Sequence, residues 1–403
     1  MSYSDIDVFS GKESRAMLKE VRTFAARQMR PAGIELDSLP RPGDVIRKDS
    51  LLWEVFRGFR KLDLHLPWIS EDLGGMGKVG PRTAVALAEC LGHGDAGLAV
   101  SLLASNVPFQ YASLLKTPEL EQLARDYCVD HDCAMVGCVP VAEAAPAPLS
   151  GNPDSPGAEP AVSAAYVKGH HVLNGEIGKA VNADIATHAV LTVGIRDKKQ
   201  EKGRGIAVVP LDLPGVTRTG PQERTGQRSL NQGGLILRDV KLPKGFLVPL
   251  EEPALREMEQ KFFIRENQAQ CAVRAGIAWA ALDEALAYSR ERIQGGVPIF
   301  EHKNIQLQLF NMLKMVEAVR GNTRRLALFH AQAPDACSLV HAVAAKCLAS
   351  EAAVQVTSEA IQIFGGYGLT KEFPMEKFFR DARSALIENG VNEDLALAAM
   401  ASV

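Results

Sequence analysis

Residues 384–391, Ser-Ala-Leu-Ile-Glu-Asn-Gly-Val, follow a charged run, KFFRDAR, and a glycine-rich turn, QIFGGYG. Removing a proton from carbon requires a side chain that can accept one, held within hydrogen-bond reach. Glu388 can do so. Asn389, which directly precedes Gly390, cannot, so the stretch raises the question of where a base would lie. Gly365 and Gly366 could let backbone approach a ligand closely, although such a run also ends helices in the ordinary way. Arg292, in RERIQGG, has the plain reading of a solvated arginine at a helix end. His170–His171 reads as polarity at a strand start. The nine histidines lack carboxylates at ligand spacing, so no metal site is expected.

These groups need elements to hold them. The chain has 403 residues, more than one hydrophobic core usually serves, so two or three subdomains are expected. Its 46% hydrophobic and 23% charged residues suit a soluble globular protein. A net charge of −3 gives no field that would draw nucleic acid. Seven scattered cysteines without CxxC spacing read as reduced thiols. The opening segment has neither a basic nor an apolar leader, and no run approaches 18 apolar residues. The expectation is a cytoplasmic chain with no membrane span.

Three regions differ in periodicity. Residues 1–130 repeat apolar residues at helical spacing, with Ser14 as a candidate N-cap and SEDLGGMG as a turn. Residues 131–250 carry short β-branched runs, HHVLNGEIG, THAVLTVGI, RGIAVVPLDL and GGLILRDVKLP, bounded by turn residues. Within them, RDKKQEKGR reads as a hairpin tip and EAAPAPLSGNPDSPGAEPAV as a long surface loop. Residues 251–403 return to long apolar-striped helices, as in a bundle. The chain is therefore α+β: a helical domain, a compact β-domain and a C-terminal four-helix bundle. Trp279, among alanines, reads as packing. The alanine-rich stretches 272–290 and 337–362 suggest apolar surface beyond what one bundle needs, hence an oligomer.

This order resembles the acyl-CoA dehydrogenase family over nearly the whole chain. SEAIQIFGGYGLTKEFPMEKFFRDAR looks like that family's most recognisable signature. ALDEALAYSRERIQGGVPI, TGQRSLNQGGLILRDVKLP and ISEDLGGMG resemble three further segments. The resemblance implies a central β-barrel-like domain and a tetramer holding FAD between the β-domain of one subunit and the bundle of its neighbour. It implies acyl-CoA as substrate and an electron-transfer flavoprotein as acceptor. Arg292 matches the arginine that meets the FAD pyrophosphate. Gln362, Gly365 and Gly366 match residues on the adenine side of the neighbour's FAD.

The resemblance also addresses the base. The family's usual Glu-Gly-Thr is Asn389-Gly390-Val391 here. Asn389 can contribute only its backbone N–H, towards the thioester carbonyl. Glu388, one residue early, is expected to face elsewhere, since one helical step rotates a side chain by about 100°. Isovaleryl-type members carry the base ten residues before the glycine of a G-x-x-x-x-A-L-D segment. That glycine is Gly276, and the position is Glu266; the plainer reading of Glu266 is a solvated residue near a helix N-terminus. Around it, Asn267 and Ile264 replace the usual Arg and Asp. Gly295 replaces a flavin-packing Phe, and Lys303 a Gln. Val141-Ala142-Glu143-Ala144 stands where Thr-Glu-Pro is usual, and Lys179-Ala180-Val181 where Trp-Ile-Thr is.

Three readings follow. The first is an FAD-dependent acyl-CoA dehydrogenase with an isovaleryl-type base. The second is a flavin-deficient subunit of a heterotetramer, lending its adenine-side residues to a second dehydrogenase-like chain. The third is a member doing non-oxidative acyl-CoA chemistry, or a scaffold. Small residues around 274–285 are expected to leave room for a bulky acyl group.

Overall fold

The computed structural model describes residues 11–77, 79–141, 159–196, 202–333 and 339–401. Among the described residues the N-terminal region holds the α-helices α1 (Lys12–Phe24), α2 (Arg30–Ser38), α3 (Pro42–Val45), α4 (Leu51–Lys61), α5 (Pro81–Gly94), α6 (Ala96–Ala104), α7 (Val107–Leu115) and α8 (Pro118–Cys128), with a π-helical segment Ala25–Met29 joining α1 to α2. Helix α1 starts two residues ahead of Ser14, with Gly11 as its N-cap, and Ser14 Oγ accepts a bond from Thr83 instead. The ISEDLGGMG turn is a short 3-10 segment closed by Gly74 in the left-handed region.

The middle strands are β1 (Gly137–Pro140), β2 (Val162–Val167), β3 (His170–Val181), β4 (His188–Arg196), β5 (Lys202–Pro210), β6 (Val216–Arg218), β7 (Gln232–Leu242) and β8 (Leu247–Leu250). They form one sheet in the order β6-β7-β3-β1-β4-β5-β8, with β2 also pairing β3 and β4. β1 and β2 run parallel to β4 and the other pairs are antiparallel. β4 and β5 pair from His188↔Pro210 to Arg196↔Lys202, as a hairpin requires. The tip of RDKKQEKGR, residues 197–201, lies outside the described residues, as does the 142–158 part of the expected surface loop.

Helix α9 (Glu252–Glu291) runs 40 residues without a break. Pro253 lies in its first turn, where a missing N–H costs nothing, and Glu252 faces the positive end of the helix dipole. α10 (Lys303–Gln332), α11 (Leu339–Phe364), α12 (Met375–Ser384) and α13 (Asn392–Met400) follow. α9 packs on α5, α10 and α11. Residues 271–282 of α9 are buried within the chain, so the apolar surplus expected for 272–290 is spent inside it. The small residues there serve close helix contact and do not line an acyl cavity. A Cβ on Gly276 would sit 2.2 Å from Glu89 O, and one on Gly92 2.3 Å from Val273 O. Trp279 is core, its ring 4.5 Å from that of His93.

Among the described residues, two helical stretches, Ala96–Leu115 and Leu339–Leu369, are long and apolar enough to cross a membrane by length and composition. In this fold 72% and 50% of their most apolar windows are buried inside the protein.

Candidate active site

A cavity of about 150 Å³ lies where the three regions meet. Helix α9 gives it Phe262, Arg265, Glu266, Ala269 and Gln270, residues three and four apart that share one helix face. The opposite walls come from Leu64 and Trp68, from Leu87 and Leu91 on α5, and from Val107 and Gln110 on α7. Val139, Pro140, Val141 and Val181 form the sheet-side wall, and Glu388 and Asn389 close it from the turn after α12.

Glu266 is surrounded by protein on all sides, yet its side chain is exposed, and the space it opens into is the cavity. Burial pushes its carboxyl above the ordinary carboxylate range. The Asn389 amide, Arg265 and Arg274 work against that shift, and Glu388 adds to it. Asn389 Nδ2 is buried and closes no well-aligned hydrogen bond, so the amide stands beside the carboxylate without being tied to it. Glu266 and Asn389 are thus brought together at one cavity.

The turn that carries Asn389 is held from below. Lys346, fully buried on α11, donates to Gly390 O at 2.6 Å, Asn392 Oδ1 at 2.6 Å and Leu386 O at 3.3 Å. Burial lowers its ammonium pKa to about 8. Asn389 and Gly390 take positive φ, 54° and 102°, a conformation that asparagine and glycine accept more readily than other residues. Helix α12 is fixed by Lys377, buried between Asp95 (2.6 Å) and Asp381 (2.5 Å). Asp95 also caps α6 through Leu98 N, which ties the α12 end of the site to the N-terminal helices.

Glu388 does not face away, as the one-residue offset suggested. It lines the same cavity, because residues 385–389 are a turn and not a continuing helix. Its carboxylate lies 3.5 Å from Arg274 and 4.0 Å from Arg224. Two guanidinium groups therefore flank it, whereas Glu266 has no ion-pair partner among the described residues.

The four residues expected around FAD also come together, at a different place. Arg292, Gln362, Gly365 and Gly366 line a cleft of about 750 Å³ with Tyr288, His302 and Tyr367. Arg292 and Gln362 are exposed, and no carboxylate pairs with Arg292 among the described residues. A Cβ on Gly365 or Gly366 would meet nothing within 4 Å, so the cleft is open over that backbone. An unpaired cation on an open cleft fits the phosphates of a dinucleotide. The sheet-side wall of the cavity fits a flavin ring less completely. Lys179 is exposed, Ala180 is buried, and Val181 pairs with Val139 and faces the cavity, so the described part of that wall is apolar. Ala142, Glu143, Ala144 and the APAPLSGNPD segment lie outside the described residues.

Sequence reasoning missed Lys346, Arg265, Trp68 and Gln110. Only Arg265 left a local signal, a charge next to Glu266 on a helix face turned inward.

The comparisons with known proteins agree with this architecture. The family model "Acyl-CoA dehydrogenase, N-terminal domain" matches residues 11–122, and "Acyl-CoA dehydrogenase, C-terminal domain" matches 258–402. The mitochondrial short-chain specific acyl-CoA dehydrogenase of Sus scrofa is 30% identical over 385 residues, 94% of this chain and 88% of that protein. The cyclohex-1-ene-1-carbonyl-CoA dehydrogenase of Geobacter metallireducens is 28% identical over 388 residues, 95% of each. The butyryl-CoA dehydrogenase structure from Megasphaera elsdenii superposes with a TM-score of 0.79 at 24% identity, over 98% of this chain and 97% of that one, and shares the fold. The chain belongs to the acyl-CoA dehydrogenase family, flavoprotein oxidoreductases that act on CH–CH groups.

Proposed function

We propose that this chain is an FAD-dependent acyl-CoA dehydrogenase in which Glu266 is the base. The observation that carries the reading is the Glu266 carboxylate itself. It is unpaired, opens into a largely apolar cavity, and is held in surroundings that raise its proton affinity. Such a group is suited to taking a proton from the carbon next to a thioester carbonyl. Asn389 accepts no proton. Among the described residues, no backbone carbonyl accepts from its N–H, which leaves that donor available to a thioester oxygen that gains negative charge as the proton departs. Glu388, engaged by Arg274 and Arg224, contributes field and not proton transfer.

FAD, when bound, supplies the acceptor for the hydride that leaves the β-carbon. Arg292 would hold its pyrophosphate, with Gln362, Gly365 and Gly366 against the adenine side. These residues serve a flavin shared with a neighbouring subunit, in a homotetramer or a heterotetramer, with an electron-transfer flavoprotein as acceptor. The heteromeric reading has an observation of its own. The residues expected on the adenine side line one cleft, while the described sheet-side wall offers no side-chain hydroxyl or aromatic ring. FAD per chain separates the two. About one FAD per chain of the homo-oligomer, with turnover of saturated acyl-CoAs by an artificial electron acceptor, supports the first. No flavin until a second dehydrogenase-like chain is added supports the second. Absence of turnover in both settings would overturn the dehydrogenase reading.

A further inference from the structure

The cavity that exposes Glu266 also holds a cation that no carboxylate pairs with among the described residues, although Glu266 lies near enough to act on it. Arg265 makes one hydrogen bond, from Nη2 to Gln110 Oε1 at 2.6 Å, and no ion pair among the described residues. That bond uses one of five N–H donors and leads to a neutral acceptor. Burial lowers the Arg265 pKa only to about 10, so the group is charged at neutral pH. A charge kept in apolar surroundings without a paired counter-charge is costly, and is retained where a ligand completes it.

The surroundings hold the guanidinium in place. Its central carbon lies 4.2 Å from the Phe262 ring centroid and 5.1 Å from that of Trp68. Tyr111 stacks on Phe262, centroids 3.7 Å apart and planes 15° from parallel. Trp68 is itself set by an unusual backbone, with φ of 73°, a region bulky residues rarely enter. Its N–H donates to Gly77 O at 2.9 Å, and Gly77 N donates to Ile69 O at 2.8 Å, which closes the turn around it. A strained residue held by its neighbours against a lining cation is a mark of a functional site. Aromatic rings this close restrict the guanidinium, and the N–H donors not used by Gln110 are left for an oxygen pair.

We propose that this site takes acyl-CoA thioesters whose acyl chain carries a carboxylate, and that Arg265 selects them. The inference rests on the dehydrogenase reading for the location of the acyl group. The chemistry is a bidentate pairing of guanidinium with carboxylate, two parallel N–H···O bonds that a plain alkyl chain cannot make. The negative charge so introduced offsets Arg265 and leaves Glu266 free to work as a base. A CoA phosphate offers similar anionic oxygens, so the test must separate the two sources.

The test measures binding, which does not depend on turnover. Straight-chain acyl-CoAs of four to eight carbons are each compared with the ω-carboxy acyl-CoA of the same length, and with CoA alone, by titration calorimetry on the purified holoprotein. We expect at least one ω-carboxy member to bind on the order of 10- to 100-fold more tightly than its plain partner, as charge-assisted bonds allow. Arg265→Gln should abolish that ratio while leaving CoA affinity unchanged. Arg265→Lys, which keeps the charge but not the fork, should retain part of it. Equal binding of every pair by the wild-type protein would overturn the proposal, as would a uniform loss of CoA and all thioesters in Arg265→Gln. Discrimination without turnover would leave Arg265 selective and sink the dehydrogenase reading instead.

Discussion

Glu266 and Asn389 are singled out through the family resemblance, one ten residues before Gly276 and the other just before Gly390, and the structure brings both to one cavity. What could not be read was which carboxylate is free. That depends on Arg274 and Arg224 reaching Glu388, contacts between residues more than a hundred positions apart. The raised proton affinity of Glu266 has two consequences. A base must be ionised, so the acid limb of the pH–rate profile should lie above the ordinary carboxylate range. The sign for stability is opposite to that of a paired carboxylate. A folded-state value above the unfolded one favours folding below the ordinary carboxylate range, and that contribution is lost as pH rises through the folded value. At pH 7 the ionised Glu266 therefore weighs against the fold. Glu266→Gln should lose turnover by on the order of 10² or more, yet melt at a higher temperature at pH 7, with the difference shrinking towards pH 4. A lower melting temperature at pH 7 would show that the carboxylate is paired in solution. Glu388→Gln should leave turnover within a few-fold.

At the scale of elements, the long helices and four of the strands follow from period and composition. The misreadings share a cause. The alanine stripe of α9 predicted outer surface, but Gly276 and Gly92 let α5 approach closely enough to cover it. Ser14 has the chemistry of a cap, but the helix begins before it. The element on which the site turns is the 385–391 turn, and Lys346 is its anchor. Replacing Lys346 by Met leaves Gly390 O without its donor and takes one donor each from Leu386 O and Asn392 Oδ1, which keep Asn392 N–H and Ser350 Oγ, at a cost of about 1–3 kcal/mol. It should also reduce turnover with Glu266 untouched, because Asn389 loses its placement. The pH dependence carries a signature. With the folded pKa at about 8 and an ordinary lysine near 10.5, the unfolded chain binds more protons between these values, so this group's contribution to stability rises with pH there. Thermal melts of wild type and Lys346→Met from pH 7.5 to 10.5 should differ least at the low end and most at the high end. Parallel curves would remove the anchor from the account.

The molecule as a whole presents the Arg292 cleft on its surface, with Leu307 and Phe310 of α10 at 61% and 60% exposure and Leu369 at 75%. Large apolar side chains left uncovered on α10, which gives the cleft Asn304 and Ile305, and at Leu369, next to Thr370 of its lining, suit burial against a second subunit. Light scattering at micromolar concentration should give an oligomer, and a Leu307→Lys, Phe310→Lys pair should yield smaller species that lose flavin. A monodisperse wild-type monomer would contradict the shared site. With Ala180 and Val181 where the family has an isoleucine and a hydroxyl, and Lys179 where it has an indole, flavin should be held weakly. Exhaustive dialysis of the chain expressed alone should leave it well below one FAD per chain, and stoichiometric retention would refute this and remove the partner-subunit reading.

The central claim, that Glu266 takes the α-proton of a bound acyl-CoA, has a direct test: deuterium wash-in from heavy water at that carbon, followed by mass spectrometry under anaerobic conditions without an electron acceptor. The wild-type protein should exchange the α-hydrogens of an accepted thioester well above the buffer rate. Glu266→Gln should lose that exchange by on the order of 10² or more, while Glu388→Gln keeps it. Wild-type exchange no faster than buffer, or equal exchange in wild type and Glu266→Gln, would contradict the account.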